Sequence, residues 1–224
     1  MSLLDYRIRQ RDYLISIARA LVSRLNVRAV LRLILQASVD MLQGHAGLIA
    51  LREKESSGSM EDANKNQFTF GASYGLPPGL LQSFKPLVEN VPEFTSNADF
   101  SIPNLAEKLR KIAQETGLLL RQVVALPMTL PGLSPSVDGP RPREQELLGL
   151  ILIFRSQSVR FSADERQILA NFADYAAIAV HNARLYETAV TERRRLDALL
   201  ESSADGIMVL RPNLTIERIN RALV

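Results

Sequence analysis

Two residue types are absent from this chain and a third is scarce. It has no cysteine, no tryptophan and only two histidines, His45 and His181, in 224 residues. Without thiols the chain offers no cysteine nucleophile, no iron–sulfur cluster and no cysteine-ligated zinc site. His45 follows a predicted helix end and His181 lies within a predicted long helix, so we expect neither to hold haem or a metal ion.

Charge of one sign and long apolar runs are also scarce. Lys and Arg number 27 against 24 Asp and Glu, a formal net charge of +3. Because this surplus is slight, we expect no nucleic-acid partner. No apolar run approaches the ~18 residues of a membrane span. We therefore expect no membrane contact in this segment and a cytoplasmic location. With 46% hydrophobic and 23% charged residues, the composition is typical of one large or two small globular domains.

Apolar residues spaced three and four apart predict four helices in the first half of the chain. Asn26 is placed to cap the second of them through its side-chain oxygen. Gly44 is expected to end that helix in a left-handed conformation, and Gly117 to end the fourth. The predicted helices span residues 4–24, 27–43, 80–88 and 105–116.

Between these helices the pattern changes to that of β-strands. Residues 67–74 alternate, which predicts Phe68, Phe70, Ala72 and Tyr74 on a single inward face. The other segments are apolar on both sides, as in strands that are covered on both faces. The predicted strands span residues 45–52, 67–74, 122–130 and 147–155.

A capping box begins the longest predicted element. Ser162 and Glu165 are spaced so that each side chain reaches a backbone N–H of the other residue, and residues 163–201 contain no Gly or Pro. Such a helix extends about 58 Å, more than a domain of this size needs, so we expect it to pair with a second copy as a coiled coil. The predicted seam of this homodimer consists of Phe172, Tyr175, Ala179, Asn182, Tyr186, Leu196 and Leu200.

Two short apolar runs follow the long helix, at residues 207–210 and 214–219. The intervening Arg211-Pro212-Asn213 is typical of a turn, which predicts a β-hairpin. Because a lone hairpin is only marginally stable in water, we expect these strands to be the front of a further domain.

Several segments of the chain resemble the GAF family of sensory domains. Residues 161–189, FSADERQILANFADYAAIAVHNARLYETA, resemble the C-terminal helix of that family. YGLP at 74–77 is similar to the turn after its second strand, ALPM at 125–128 to a strand ending in Val-Pro-Leu, and GLILIF at 149–154 to its Gly-x-Leu-x-Leu strand. Downstream, residues 199–222 resemble the start of a PAS domain.

The resemblance implies a fold class and a domain organisation. The implied fold is α+β: a GAF-like (profilin-like) antiparallel sheet of about six strands, with helices on both faces and a long C-terminal coiled-coil helix. The implied parts are an N-terminal dimerisation helix (1–25), a GAF-like sensory domain (26–185), a linking signalling helix (186–201) and the start of a PAS domain (202–224).

Domains of this family commonly hold a small molecule between the sheet and the irregular helices on one face. The residues that would line such a pocket here are Phe70, Tyr74, Phe84, Phe94, Phe100 and Met128. The same residues would also serve as core, because aromatic side chains dominate protein cores. Cyclic-nucleotide GAF domains carry an Asn-Lys pair where the strand of this chain ends in Phe154-Arg155-Ser156, and no such pair stands there. The chain also has no cysteine to attach a bilin. We therefore expect no bilin, haem or metal, and the identity of any ligand stays unknown.

The leading hypothesis for function is a sensory and regulatory input module of a bacterial signal-transduction protein. The parent would be a sensor histidine kinase of a two-component system, and the module would relay the presence of a small molecule or partner through a dimeric helix. We expect no catalysis by this segment, because it contains no convergent nucleophile or acid–base set. Two alternatives stay open: a ligand-free structural connector that joins two copies, and the input module of a cyclic-di-nucleotide enzyme.

Overall fold

The computed structural model describes residues 11–13, 15–20, 26–53, 67–89, 91, 100–130 and 146–223. The chain forms two compact units, which divide between Val180 and His181. Phe94 and parts of the predicted first helix lie outside the described residues.

The helices and strands agree with the predicted ones to within a few residues wherever the chain is described. One predicted helix, over residues 80–88, is instead a 3₁₀ segment that contains Pro86. In chain order the elements are α1 (residues 11–13 and 15–20), α2 (Val27–Met41), β1 (Ala46–Arg52), β2 (Phe68–Tyr74), the 3₁₀ segment (Pro78–Leu87), α3 (Leu105–Thr116), β3 (Gln122–Leu130), β4 (Glu146–Arg155), α4 (Ala163–Ser202), β5 (Met208–Leu210), β6 (Ile216–Ile219) and a 3₁₀ turn (Arg221–Leu223).

The first unit is built on an antiparallel sheet with the strand order β2-β1-β4-β3. The expectation of about six strands was wrong, since the sheet has four strands in the part of the chain that is described. Those four are the segments in which the sequence itself shows a strand pattern. The extra strands were implied by the family resemblance alone.

Helices cover both faces of this sheet, as expected. On one side, the α4 face, α1, α2 and α4 pack against alternate sheet residues such as Ile49 and Ile151. On the other side, the α3 face, the 3₁₀ segment and α3 pack against Leu48 and Leu150. Near-complete burial of both sides of β1 and β4 explains why these strands are apolar throughout.

A β-bulge in β2 corrects the prediction of a single aromatic face. The register places Ile49 opposite Ala72 but Ala50 opposite Phe70, which leaves Gly71 as the extra residue. The bulge reverses the alternation, because every position beyond it shifts to the other face. Phe68 and Phe70 therefore pack on the α3 face, whereas Ala72 and Tyr74 pack on the α4 face.

The helix ends follow the predicted caps with one exception. The Asn26 side chain accepts a hydrogen bond from the Arg28 N–H at 3.0 Å, which confirms the cap of α2. Gly117 closes α3 with a φ of 69°. After α2, however, the left-handed residue is Gln43 rather than Gly44. Gly44 is required by packing, since a Cβ there would lie 2.6 Å from the Ile153 Cγ2 atom.

In the second unit, β5 and β6 form the predicted antiparallel hairpin. Arg218 on β6 forms an ion pair with Asp197 of α4. Asn220, which is 2% exposed, accepts a hydrogen bond from the Ile207 N–H and donates to the carbonyl oxygens of Leu200 and Asp205. These bonds fix the hairpin to the C-terminal end of α4. Within the described ranges, no helix combines the length and the hydropathy that a membrane crossing requires.

Candidate functional site

An open cleft of about 320 Å³ lies between α2 and the edge of the sheet. Its lining residues are Arg28, Arg32, Phe70, Gly71, Ala72, Ser73 and Leu81. They come from three elements: the first half of α2, the bulged part of β2 and the 3₁₀ segment. One side of the cleft is therefore cationic and the other is partly apolar.

Local sequence explains how the cleft is shaped. Because α2 begins after Asn26, Arg28 and Arg32 fall one turn apart on an exposed side of the helix. In β2, Gly71 keeps the bulge compact, since a Cβ there would lie 2.8 Å from the Leu51 Cδ1 atom. Among the described strands, β2 pairs only with β1, so its outer edge borders the cleft.

The structure does not bring the predicted pocket residues together. Phe70 lines the cleft, while Phe84 and Phe100 are buried on the α3 face. Tyr74 and Met128 pack on the opposite, α4 face. The Phe84 ring contacts the Phe154 ring edge to face, with centroids 5.4 Å apart. The placement of Tyr74 follows from the bulge in β2, and that of Met128 follows from strand alternation in β3.

A buried arginine joins the sheet to the start of α4. Arg155, at the end of β4, donates from Nε to the Leu42 carbonyl oxygen at 3.1 Å and forms an ion pair with Glu165. Its guanidinium carbon lies 4.0 Å from the centre of the Phe161 ring, a cation–π contact. Glu165 also belongs to the predicted capping box, which is confirmed: it accepts from the Ser162 N–H at 2.7 Å, and its own N–H donates to the Ser162 hydroxyl at 3.2 Å.

These contacts change the acidity of the Glu165 carboxyl group. Partial burial by itself would raise the pKa of Glu165. The hydrogen bonds from Arg155 and Ser162, together with the Arg155 charge, outweigh burial and lower the pKa of Glu165 below its usual range. The carboxylate is therefore ionised, and the cluster of Arg155, Glu165, Phe161 and the Leu42 carbonyl, the Arg155 junction, ties the end of α2 to the beginning of α4.

The structure corrects two of the predicted seam residues. Phe172 is 2% and Ala179 is 5% exposed, because both pack in the core of their own chain on the α4 face. Tyr175 is partly buried against the same core. Asn182, Tyr186 and Leu196 are exposed and Leu200 is partly exposed, so these four are not part of that core.

Three exposed leucines of α4 follow a neighbouring stripe, whereas Tyr186, which is 64% exposed, lies outside it. Leu185, Leu196 and Leu199 are 55%, 52% and 59% exposed. With Asn182, Ala189 and Glu192 they are spaced alternately three and four apart, the spacing of a helix seam. We call the residues Asn182, Leu185, Ala189, Glu192, Leu196 and Leu199 the α4 stripe.

Sequence reasoning assigned no role to Arg28, Arg32 or Arg155. The first two resemble any pair of arginines on a solvated helix face, and only the position of β2 makes them part of a cleft. Arg155 carried a weak signal: a charged residue at the end of a fully apolar strand, seven residues before a capping box.

Within the described part of the chain, no group of three or more His, Asp or Glu side chains is arranged to hold a metal ion. His45 is exposed and His181 is partly exposed. Neither lines the cleft.

Comparison with known proteins gives likenesses among solved structures only. No protein-family model and no curated protein sequence matches the chain. The chain is similar to the GAF domain of a phosphoenolpyruvate-protein phosphotransferase from Acinetobacter, with 15% identity over 84% of this chain and 99% of that one and a TM-score of 0.48. It is similar to the GAF domain of a proposed sensor histidine kinase from Pseudomonas syringae pv. tomato, with 17% identity over 82% and 94% and a TM-score of 0.46. A phycoerythrobilin-bound GAF domain from a cyanobacterial phytochrome has 12% identity over 80% and 97% and a TM-score of 0.49. Likenesses of this size assign neither a family nor a function.

Proposed function

We propose that this chain is a sensory and regulatory input module of a bacterial signal-transduction protein, with a sensor histidine kinase as the expected parent. In this proposal the chain catalyses no reaction. It binds an effector in its first unit and passes the resulting conformational state along α4 to the rest of the protein. A ligand shifts such an equilibrium only through its different affinities for the two states.

The observation that carries the proposal is the dual character of α4. Over Leu169 to Val180 the helix supplies buried residues to the core on the α4 face. From residue 182 to 199 the same continuous helix exposes the α4 stripe. One end of α4 packs in the core, and the other end exposes apolar residues. Because the helix is continuous, a shift of the packed end would also move the exposed end, and a conformational change could pass along it.

We expect the α4 stripe to be covered by the same stripe of a second copy. The stripe has the alternating three and four spacing that parallel helix pairs require, and Asn182 at its start is a residue type that fixes register. Glu192 is a charged position in the stripe, which would weaken the pairing locally. The pairing is therefore expected to be adjustable rather than rigid.

Cross-linking between copies tests this proposal directly, because the chain has no native cysteine. Leu185→Cys and Leu196→Cys each place a single thiol in the stripe, and Arg194→Cys places one on the opposite side of the helix. Mild oxidation is expected to link the Leu185→Cys and Leu196→Cys variants into covalent dimers. The Arg194→Cys variant is expected to form no covalent dimer. Equal linkage at all three positions, or none at any, would refute the pairing.

A ligand-free structural connector is the second candidate, and one observation favours it. Three of the predicted pocket residues, Phe84, Phe100 and Met128, are buried as ordinary core. A connector would still dimerise, but no small molecule would change its cross-linking pattern. Repeating the cross-linking with and without phenyl phosphate or benzoate distinguishes the two.

A further inference from the structure

We propose that the cleft between α2 and β2 binds a small organic anion, with a carboxylate or phosphate head on a compact apolar body. The proposal deepens the proposed function by naming its ligand class, and it depends on that function only for what binding achieves. The site lies at the sheet edge beside α2, whereas the predicted aromatic residues Phe84 and Phe100 lie on the α3 face.

Uncompensated positive charge is the first argument for an anion. In the described structure, neither the Arg28 nor the Arg32 side chain has a carboxylate within ion-pair distance, and the first turn of α2 contains no acidic residue. Like charges one turn apart repel each other, and the positive end of the α2 dipole lies next to them. An anion held between the two guanidinium groups would relieve that repulsion through charge-assisted hydrogen bonds.

The opposite wall indicates that the anion carries an apolar body. Phe70 and Leu81, which pack on the α3 face, and Ala72, which packs on the α4 face, are partly buried and meet at the cleft along the sheet edge, where Ser73 adds a hydroxyl group. At about 320 Å³ the cleft is near the lower limit for small-molecule sites. A ligand with a single ring and one anionic group fits that volume and that division between polar and apolar lining.

The bulge at Gly71 favours a compact ligand over an added peptide strand. Strand addition needs a regular row of backbone N–H and C=O groups along the sheet edge. The extra residue in β2 interrupts that row within the cleft. An extended peptide would therefore lose its regular pairing at this point of the sheet edge.

The position of the cleft connects binding to α4. Arg28 and Arg32 lie on α2, and the Leu42 carbonyl at the other end of α2 accepts from Arg155. Arg155 in turn holds Glu165 in the first turn of α4. If ligand binding shifts α2, the Arg155 junction would therefore transmit that shift to the first turn of α4.

Calorimetric titration with defined probes tests the proposal on the full chain. Phenyl phosphate and benzoate carry the anionic head on one ring, benzyl alcohol carries the ring without charge, and inorganic phosphate carries the charge without the ring. We expect saturable binding of phenyl phosphate or benzoate, with the tighter probe identifying the head group. Benzyl alcohol and inorganic phosphate should bind at least about tenfold more weakly, since each lacks one half of the interaction.

Variants assign the binding to the cleft. The double substitution Arg28→Gln/Arg32→Gln should weaken the anionic probe about tenfold or more, because it removes both charged donors. A matched double substitution of exposed helix arginines outside the cleft, Arg110→Gln/Arg166→Gln, should leave the affinity unchanged. Circular dichroism confirms that both proteins are folded.

Three results would overturn the proposal: no saturable binding of either anionic ring probe, equal affinity for inorganic phosphate, or unchanged affinity in the cleft variant. Cross-linking of α4 reports separately on the proposed function. Binding without α4 pairing would leave the cleft assignment intact and refute the relay, whereas pairing without binding would do the reverse.

Discussion

Replacing Glu165 with glutamine should separate the charge of the Arg155 junction from its geometry. Glutamine keeps the shape of the side chain and can still accept from the Ser162 N–H, so the capping box survives. What is lost is the negative charge that faces Arg155. The guanidinium is then left with the Leu42 carbonyl and the Phe161 ring as its remaining partners at the junction.

The size of the effect follows from the burial of the two side chains. The Arg155 side chain is 8% exposed and the Glu165 side chain is 27% exposed. Removing one partner of a fully buried ion pair costs about 3–5 kcal/mol, and a hydrogen bond to a charged group contributes about 1.5–3 kcal/mol. Because water reaches part of Glu165, we expect Glu165→Gln to lower the free energy of unfolding by about 2–3 kcal/mol.

Urea unfolding at neutral pH, followed by circular dichroism, measures this difference. Glu187→Gln is the matched control, since Glu187 is an exposed residue of the same helix. The control should change the free energy of unfolding by less than about 0.5 kcal/mol. If the two variants lose the same amount, the Arg155 junction does not stabilise the fold and the reasoning is refuted.

The pH dependence supplies an independent check of the same pair. The pKa of Glu165 is lower in the folded chain than in the unfolded one, so its contribution is complete above the unfolded pKa of about 4.3. The contribution is lost as the pH falls through the folded pKa. The difference in free energy of unfolding between wild type and Glu165→Gln should therefore be largest at pH 7 and decrease as the pH is lowered. A difference that grows on acidification would contradict the ion pair between Glu165 and Arg155.

Two further substitutions test the core and the hairpin. Gly149→Ala would place a Cβ against the Ala50 carbonyl oxygen, and this backbone atom cannot move aside. We therefore expect the free energy of unfolding, measured by thermal unfolding, to fall by about 3 kcal/mol or more. Gly79→Ala, where a Cβ meets open space, should be nearly neutral, and similar losses in both would contradict the packing argument. Asn220→Ala removes three hydrogen bonds from a buried side chain and should speed amide exchange in β5 and β6 about tenfold or more, because unpaired buried groups are costly. Asn171→Ala, an exposed control, should leave that exchange unchanged, and protection retained in Asn220→Ala would refute the role of that side chain.

Features set by a few neighbouring residues could be predicted from the sequence. The Asn26 cap and the Ser162–Glu165 capping box are examples, because both partners lie within three positions of each other. The bulge at Gly71 could not be predicted in the same way. Its position depends on how β2 aligns with β1, and a shift of one residue sends Tyr74 to the opposite face of the sheet.

The candidate site shows the same limit. The three and four spacing of α4 predicts an apolar stripe but does not say whether the chain's own sheet or a second copy covers it. Phe172 was therefore assigned to the seam although the core covers it. Likewise, Arg28 and Arg32 become a candidate anion site only because α2 packs beside the edge strand. Such placements depend on tertiary contacts that local patterns do not contain.

Sedimentation equilibrium of the whole 224-residue chain tests the central claim most directly. If α4 pairs through its stripe, the measured mass should be twice the 24.9 kDa of one chain. The double substitution Leu196→Glu/Leu199→Glu should return it to 24.9 kDa while the helix content stays unchanged. A wild-type chain that is monomeric at every concentration, or a dimer that survives both glutamates, would contradict the account.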